Sequence, residues 1–315
     1  MLVDHDHTLL ENQHSPTADP FWQESWYFNF ADPVSHVYGL ARIGYRPSTG
    51  QADGLLLASI GGKPAMLYPA VGKRLSSGDV RIAPPGSLKT GGLEFVCQSP
   101  MDTWLLCLNT RSIDLELVFQ TMTPMYMFPE VVTLDGQSAA ASHYEQAGRV
   151  TGGIRCKGKT VEVNGWGQRD HSWGPRHWSG VGSWTWISAQ FPSGWAFNYW
   201  SLGDGPPSKT CGFIGDGEKN MDLVGGEIFW KPTASPSMNL VLTPKGGSPR
   251  DISFKGIAPW TLFKDGAMIT EHFGIFTCNG EQGAGVVERL YKPRFGVLHF
   301  LPHAPRMFVL GLNSL

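Results

Sequence analysis

Gly165 to Trp178 reads GWGQRDHSWGPRHW and concentrates side chains able to do chemistry. Arg169, Asp170 and His171 stand in succession. Burying such a run is costly unless each charge is paired or put to use. A strand over Thr160 to Asn164 runs straight into it, which predicts a position at a barrel mouth or between barrels. Asp170 is the first candidate for a general acid. Aromatic walls disfavour its charged form and raise its pKa. A proton donor near neutral pH is what alkene protonation or alcohol dehydration requires. Pairing with Arg169 or Arg176 would instead keep Asp170 ionised, a poor acid in a clasp between sheets. His171 is a candidate to relay a proton or to orient Asp170. Strand alternation points it away from Asp170 unless a bulge intervenes, and the flanking glycines and Pro175 allow one.

Trp166, Trp173 and Trp178 offer ring faces that can steady a developing cation by about 0.5–2 kcal/mol each. Core packing is their other use. Glu24 shares a strand face with Trp22, Trp26 and Phe28. A carboxylate in an aromatic stripe needs a partner or a task, and an arginine of the motif would serve. Trp184, Trp186, Arg176 and Tyr199 complete the candidate substrate contacts. Tyr199 and Tyr27 could donate to a substrate oxygen. Glu271 and Glu288 fall on predicted C-terminal strands, and His143 and Glu145 just precede the long strand into the motif; structural roles are expected of all four.

The elements that must position these residues read as strands. Glycine (39), proline (23) and tryptophan (12) are plentiful, which disfavours helix interiors and suits pleated strands. Phe21 to Phe30 alternates, Ala31-Asp32-Pro33 breaks it, and Val37 to Tyr45 resumes. Ser183 to Phe191, a turn at Pro192-Ser193-Gly194, and Trp195 to Leu202 repeat that pattern. This internal echo predicts an all-β chain of two consecutive antiparallel β-barrels. The expected units are a mobile arm over 1–20, a first barrel over 21–176 and a second over 177–315. Gly78 to Gly92 is expected to be loop.

A net charge of -2 argues against nucleic acid. No apolar run is long enough to span a membrane. The start of the chain lacks a signal-peptide core. Cys97, Cys107, Cys156, Cys211 and Cys278 are odd in number and lack C-x-x-C spacing, which points to free thiols in a cytoplasmic protein without a zinc site. His5, His7 and His14 could bind metal but fall in the expected arm. Nucleotide-binding, nucleophile-elbow and zinc-protease motifs are missing from the sequence.

The RDHSWG element resembles that of the double-lipocalin proteins grouped with carotenoid 1,2-hydratase and the AttH-like proteins. Kievitone hydratase and the fungal lipocalin-like Diels–Alderases resemble it more distantly. ESWYFNF, HYEQAGRVTG and GAGVVERLYK extend the likeness over most of the chain. The resemblance is closest to bacterial members, for which the family defines fold better than substrate. It implies two lipocalin-like barrels, no metal and no cofactor. It also implies addition or loss of water across C=C, or cyclisation, on a hydrophobic unsaturated small molecule such as a terpenoid, steroid or aromatic compound. Two readings follow. One is a cofactor-independent lyase or isomerase using Asp170, His171 and Arg169. The other is a lipocalin-like carrier without catalysis, which has no need of a strongly shifted carboxyl in its pocket.

Overall fold

A computed structural model describes residues 7–74, 80–81, 86–129, 131–132, 138–140, 142–176, 182–203, 209–231, 235–264, 267–291 and 307–309. It is nearly all strand, 74% against 3% helix, in two antiparallel barrels, one nearly closed and one closed. The expected all-β double barrel is therefore observed. The helical residues are the short 3-10 turns His7–Glu11 and Pro47–Thr49.

The first sheet runs from Lys63–Arg74 through Gln51–Ile60, Val37–Arg46 and Trp22–Asp32 to Lys159–Pro175. It continues through Ser142–Cys156, Ile113–Thr121, Thr103–Asn109, Leu93–Ser99 and Gly86–Thr90 to Val80–Arg81. The second runs from Ser237–Pro244 through Asn220–Lys231, Lys209–Gly215, Ala196–Leu202, Ser183–Gln190, Glu281–Tyr291 and Ala267–Cys278 to Arg250–Lys264. Its first and last strands pair and close the ring, and Met307–Val309 adds in parallel to Arg250–Lys264. Both barrels open alike. Trp22–Asp32 and Ser183–Gln190 each pair with the next strand and with the last long strand of their own barrel. Part of Gly78 to Gly92 is strand rather than loop, because Gly86–Thr90 pairs with Leu93–Ser99 through a turn at Gly91 and Gly92. Residues 82–85 lie outside the described set.

Three apolar clusters define the interior. One fills the first barrel around Trp26, Phe28, Phe95 and Trp104. One fills the second around Phe197, Phe254 and Phe276. The third, with Tyr27, Leu40, Trp186, Trp200 and Phe273, lies between the barrels. The opening strand Trp22–Asp32 is therefore buried on both faces along its whole length. The motif belongs to the neighbouring strand, Lys159–Pro175, rather than to a mouth loop. Its glycines have a steric purpose. A Cβ at Gly165 would lie 2.3 Å from the Ala31 carbonyl oxygen, and one at Gly167 would lie 2.0 Å from that of Asn29.

Residues 7–14 of the segment expected as an arm are anchored to the first barrel. Glu11 is fully buried. Arg169 donates to it from Nη2 to Oε1 at 2.6 Å and from Nη1 to Oε2 at 3.2 Å. Met101 N–H (2.8 Å) and Tyr144 O–H (2.9 Å) complete its shell. Burial by itself would raise the Glu11 pKa, but the Arg169 charge and hydrogen bonds hold it below the ordinary value. Arg169 also donates to Gln146 Oε1 and lies over the Tyr144 and Trp104 rings.

Glu11→Ala should strand a buried guanidinium and lower stability by about 3–5 kcal/mol in urea denaturation. Adding Arg169→Met should recover part of the loss, because it removes the stranded cation. A single variant as stable as the parent would show that this contact holds nothing in place.

Candidate active site

Alternation along Lys159–Pro175 divides the motif between two compartments. Its pairing with Trp22–Asp32 and with Ser142–Cys156 runs without a shift, so no bulge re-aims a side chain. Arg169, His171 and Trp173 face the interior of the first barrel. Trp166, Gln168 and Asp170 face the second barrel. The consecutive Arg169, Asp170 and His171 therefore do not assemble into one group, since neighbours on a regular strand project oppositely.

On the inner face His171 Nε2 meets Glu24 Oε1 at 2.9 Å, and its ring stacks on Trp26 at 4.4 Å. His14 Nδ1 meets the same Glu24 oxygen at 2.8 Å. Burial lowers the His171 pKa against the pull of Glu24. Trp173 stacks on His14 at 3.7 Å. Glu24 is thus partnered by histidines, not by an arginine of the motif. His14, Glu24 and His171 are also the residues able to hold a metal, with one donor atom each, all within 4.8 Å.

The outer face carries a row of polar groups in register across four strands: Glu145, Asp170, Tyr27 and Arg42. Asp170 Oδ1 is buried with no hydrogen-bond partner among the described residues, although the residue as a whole keeps some exposure. Its pKa is pushed up to about 6, first by burial, with the Glu145 charge adding and His143, Arg176 and Arg42 opposing. Burial brings Arg176 down to about 10 against the pull of Asp170 and Glu288. Burial also lowers the Arg42 pKa, and Asp53 and Asp170 counter it. Tyr27 is pushed well up by burial, then by Glu271 and Glu288, so it stays a neutral donor.

The second barrel contributes Glu271 and Glu288, which lie opposite each other on adjacent strands. Burial raises both carboxyl pKa values; the Glu288 charge raises Glu271 further, and hydrogen bonds from Glu271 and Trp184 partly relieve Glu288. Trp184 Nε1 donates to Glu288 at 2.5 Å. Two such adjacent carboxyls are disfavoured from ionising together, so the pair takes up a proton more readily than separate carboxyls would. Glu145 is different. Its fully buried carboxylate receives Trp186 (2.9 Å) and Asn198 (2.6 Å) from the second barrel and Gln168 (2.8 Å) from the first. His143 Nε2 lies 2.8 Å away. Saturated in this way, Glu145 joins the barrels.

Trp166 packs against the inter-barrel cluster beneath the Arg149 guanidinium, and Trp186 meets Tyr27 edge-on at 5.8 Å. Tyr199 is not among these groups; it lies inside the second barrel and donates to the Gly226 carbonyl at 3.1 Å. Trp178 lies outside the described residues. Sequence reasoning passed over Arg42, although a lone charge in the apolar run Val37 to Tyr45 was a usable signal. A separate cavity of about 650 Å³, lined by Lys231, Ser253, Lys255, Ile257, Ile275 and neighbours, offers no carboxylate.

Two lipocalin-like barrels in one chain, with titratable groups sealed between them, define the class. The chain belongs to the family described as domain of unknown function DUF7064, whose profile matches residues 9–291. Solved structures share the fold. One is a Nitrosomonas europaea protein described as AttH, 14% identical, with a TM-score of 0.63 over 87% of this chain and 94% of that one. Another is kievitone hydratase from Nectria haematococca, 13% identical, with a TM-score of 0.59 over 89% and 96%. A third is CghA, 10% identical, with a TM-score of 0.60 over 91% and 95%. No curated protein matches the chain. No helix among the described residues is long and apolar enough to cross a membrane.

Raised carboxyl pKa values mean that the native state holds protons which the unfolded chain releases. The stability that Glu271 and Glu288 contribute is complete below their ordinary value of 4.5 and is lost as pH rises through the raised values. Glu271→Gln should therefore flatten the fall in unfolding free energy as pH rises above the ordinary carboxyl value of 4.5. Urea titrations upward from that pH check the slope, and an unchanged slope would remove the pair from this role.

Proposed function

We propose that the protein is a cofactor-independent lyase or isomerase, of hydratase, dehydratase or cyclase type. Its substrate on this reading is a hydrophobic unsaturated small molecule held between the barrels. The observation that carries the reading is Asp170, a carboxyl with an unpartnered buried oxygen and a pKa pushed up to about 6. A carboxyl so placed delivers a proton near neutral pH, as alkene protonation or loss of a hydroxyl demands. The proton passes from the Asp170 carboxyl to substrate carbon or oxygen. Protonation of an alkene carbon gives a cation that water captures, the extra proton of the bound water returning to the Asp170 carboxylate; protonation of a hydroxyl oxygen expels water, and the carboxylate then takes a neighbouring proton to leave an alkene. Arg176 and Arg42 favour the aspartate left behind, and the Trp186 and Trp166 rings lie on the same face. Kievitone hydratase supports the reading as a hydratase on the same fold.

Asp170→Asn removes the transferable proton while keeping size and polarity. With an accepted substrate, turnover should fall by about 10²-fold or more while the melting temperature stays nearly constant. In the parent, kcat/KM should decline about tenfold per unit above pH about 6, because the protonated acid is depleted there. A variant that melts several degrees lower yet turns over normally in its folded fraction would return Asp170 to a structural pairing role. A bound ligand that no assay shows to change would favour the carrier.

A further inference from the structure

We propose that His14, Glu24 and His171 form a site for a divalent transition metal of the zinc type, near the rim of the first barrel. It is independent of the inter-barrel site, because His171 and Asp170 project to opposite faces of their strand. The three donors come from three segments: the anchored arm, the opening strand and the motif strand. Two imidazole nitrogens and a carboxylate oxygen are a donor set that suits zinc and its first-row neighbours. Two of the three donor separations lie close to what a metal needs, and the third, between the two imidazole nitrogens, is no more than 4.8 Å. Bonds of about 2.0–2.1 Å at angles between square and tetrahedral place neighbouring donors about 3.0–3.4 Å apart. The observed pairs at 2.8 and 2.9 Å need to open by only a few tenths of an ångström.

Two further features point to a cation. Glu24 is fully buried, and among the described residues its hydrogen-bonding partners are His14 and His171, with no lysine or arginine. Glu11, buried in the same barrel, is neutralised by Arg169. A divalent ion would do for Glu24 what the guanidinium does for Glu11. The rings are also held in place before any metal arrives. His14 lies flat on Trp173, with 5° between the planes, and His171 stacks on Trp26 at 22°. His171 Nδ1 has no partner among the described residues, so it can carry the ring proton while Nε2 faces the metal. The His14 side chain keeps 22% exposure, which gives an ion a way in. Three protein ligands leave a fourth position for solvent, as in open rather than closed zinc sites.

The test uses the full, tag-free chain stripped with a chelator and titrated with Co²⁺ and then Zn²⁺. One Co²⁺ per chain should bind, with visible ligand-field absorption that Zn²⁺ abolishes by displacement. The melting temperature should rise with metal concentration, because only the folded state assembles the donors. His14→Ala and Glu24→Gln should each weaken binding by about 10²-fold or more, beyond what losing an outer-shell partner does. Substituting His5 and His7 together should leave binding intact. His14 is partly exposed, so its variant probes the site even if Glu24→Gln fails to fold. Absence of stoichiometric binding by the folded parent, or binding retained in His14→Ala, would overturn the site. Glu24 would then stand as a carboxylate satisfied by two imidazoles.

Discussion

Burial of both faces of two adjacent strands governs this molecule. Trp22–Asp32 and Lys159–Pro175 form part of the first barrel's wall and also of the surface on which the second barrel rests. Along Trp22–Asp32 and the 165–175 part of its neighbour, either face offers a charge little hydration, so each ionisable side chain there must find a partner, a proton or a function. The motif strand carries arginine, aspartate and histidine in sequence and sends them alternately to either side. Inward residues meet the anchored arm, and outward residues meet the second barrel.

The two compartments answer that constraint differently. Inside the first barrel Glu11 and Arg169 match each other's charge. Glu11 takes two bonds from Arg169 and one each from Met101 N–H and Tyr144 O–H, while Gln146 accepts from Arg169. The Glu11 carboxyl is held down in pKa and the Arg169 guanidinium is held up. Such a pair steadies position and register without offering a proton to exchange. Between the barrels only Glu145 is saturated in this manner. Asp170, Glu271 and Glu288 are instead pushed up by burial, while Arg176 and Arg42 are pushed down. Burial thus shifts acids and cations between the barrels in opposite directions, each toward its neutral form.

Glu145 shows how the two barrels are held for that purpose. Its carboxylate collects donors from three strands, two of them reached only across the interface. Trp186 donates to it through its indole N–H and meets Tyr27 edge-on with its ring. The groups around Asp170 are therefore set by rigid strands rather than by loops, which favours a fixed geometry.

The sequence by itself determined the class of fold, because alternating aromatic strands broken by proline and glycine leave few options beyond barrels. It also marked the RDHSWG strand as the place where chemistry and structure meet, since so many polar groups in succession demand partners. Alternation pointed His171 away from Asp170 but left a bulge open, and only the unshifted pairing of the strand removed that alternative. What it could not supply were the partners, because each comes from a distant segment. Glu11 lies 158 residues from Arg169, and Glu24 lies 147 from His171. Segment 1–20 lacks a periodic pattern, so nothing in its composition announced that Glu11 and His14 would enter the barrel. Likewise, whether Asp170 would be paired or left protonated depended on the second barrel. Only the tertiary structure, by packing the second barrel against that face, buried its carboxyl oxygen and raised its pKa above that of an ordinary aspartate.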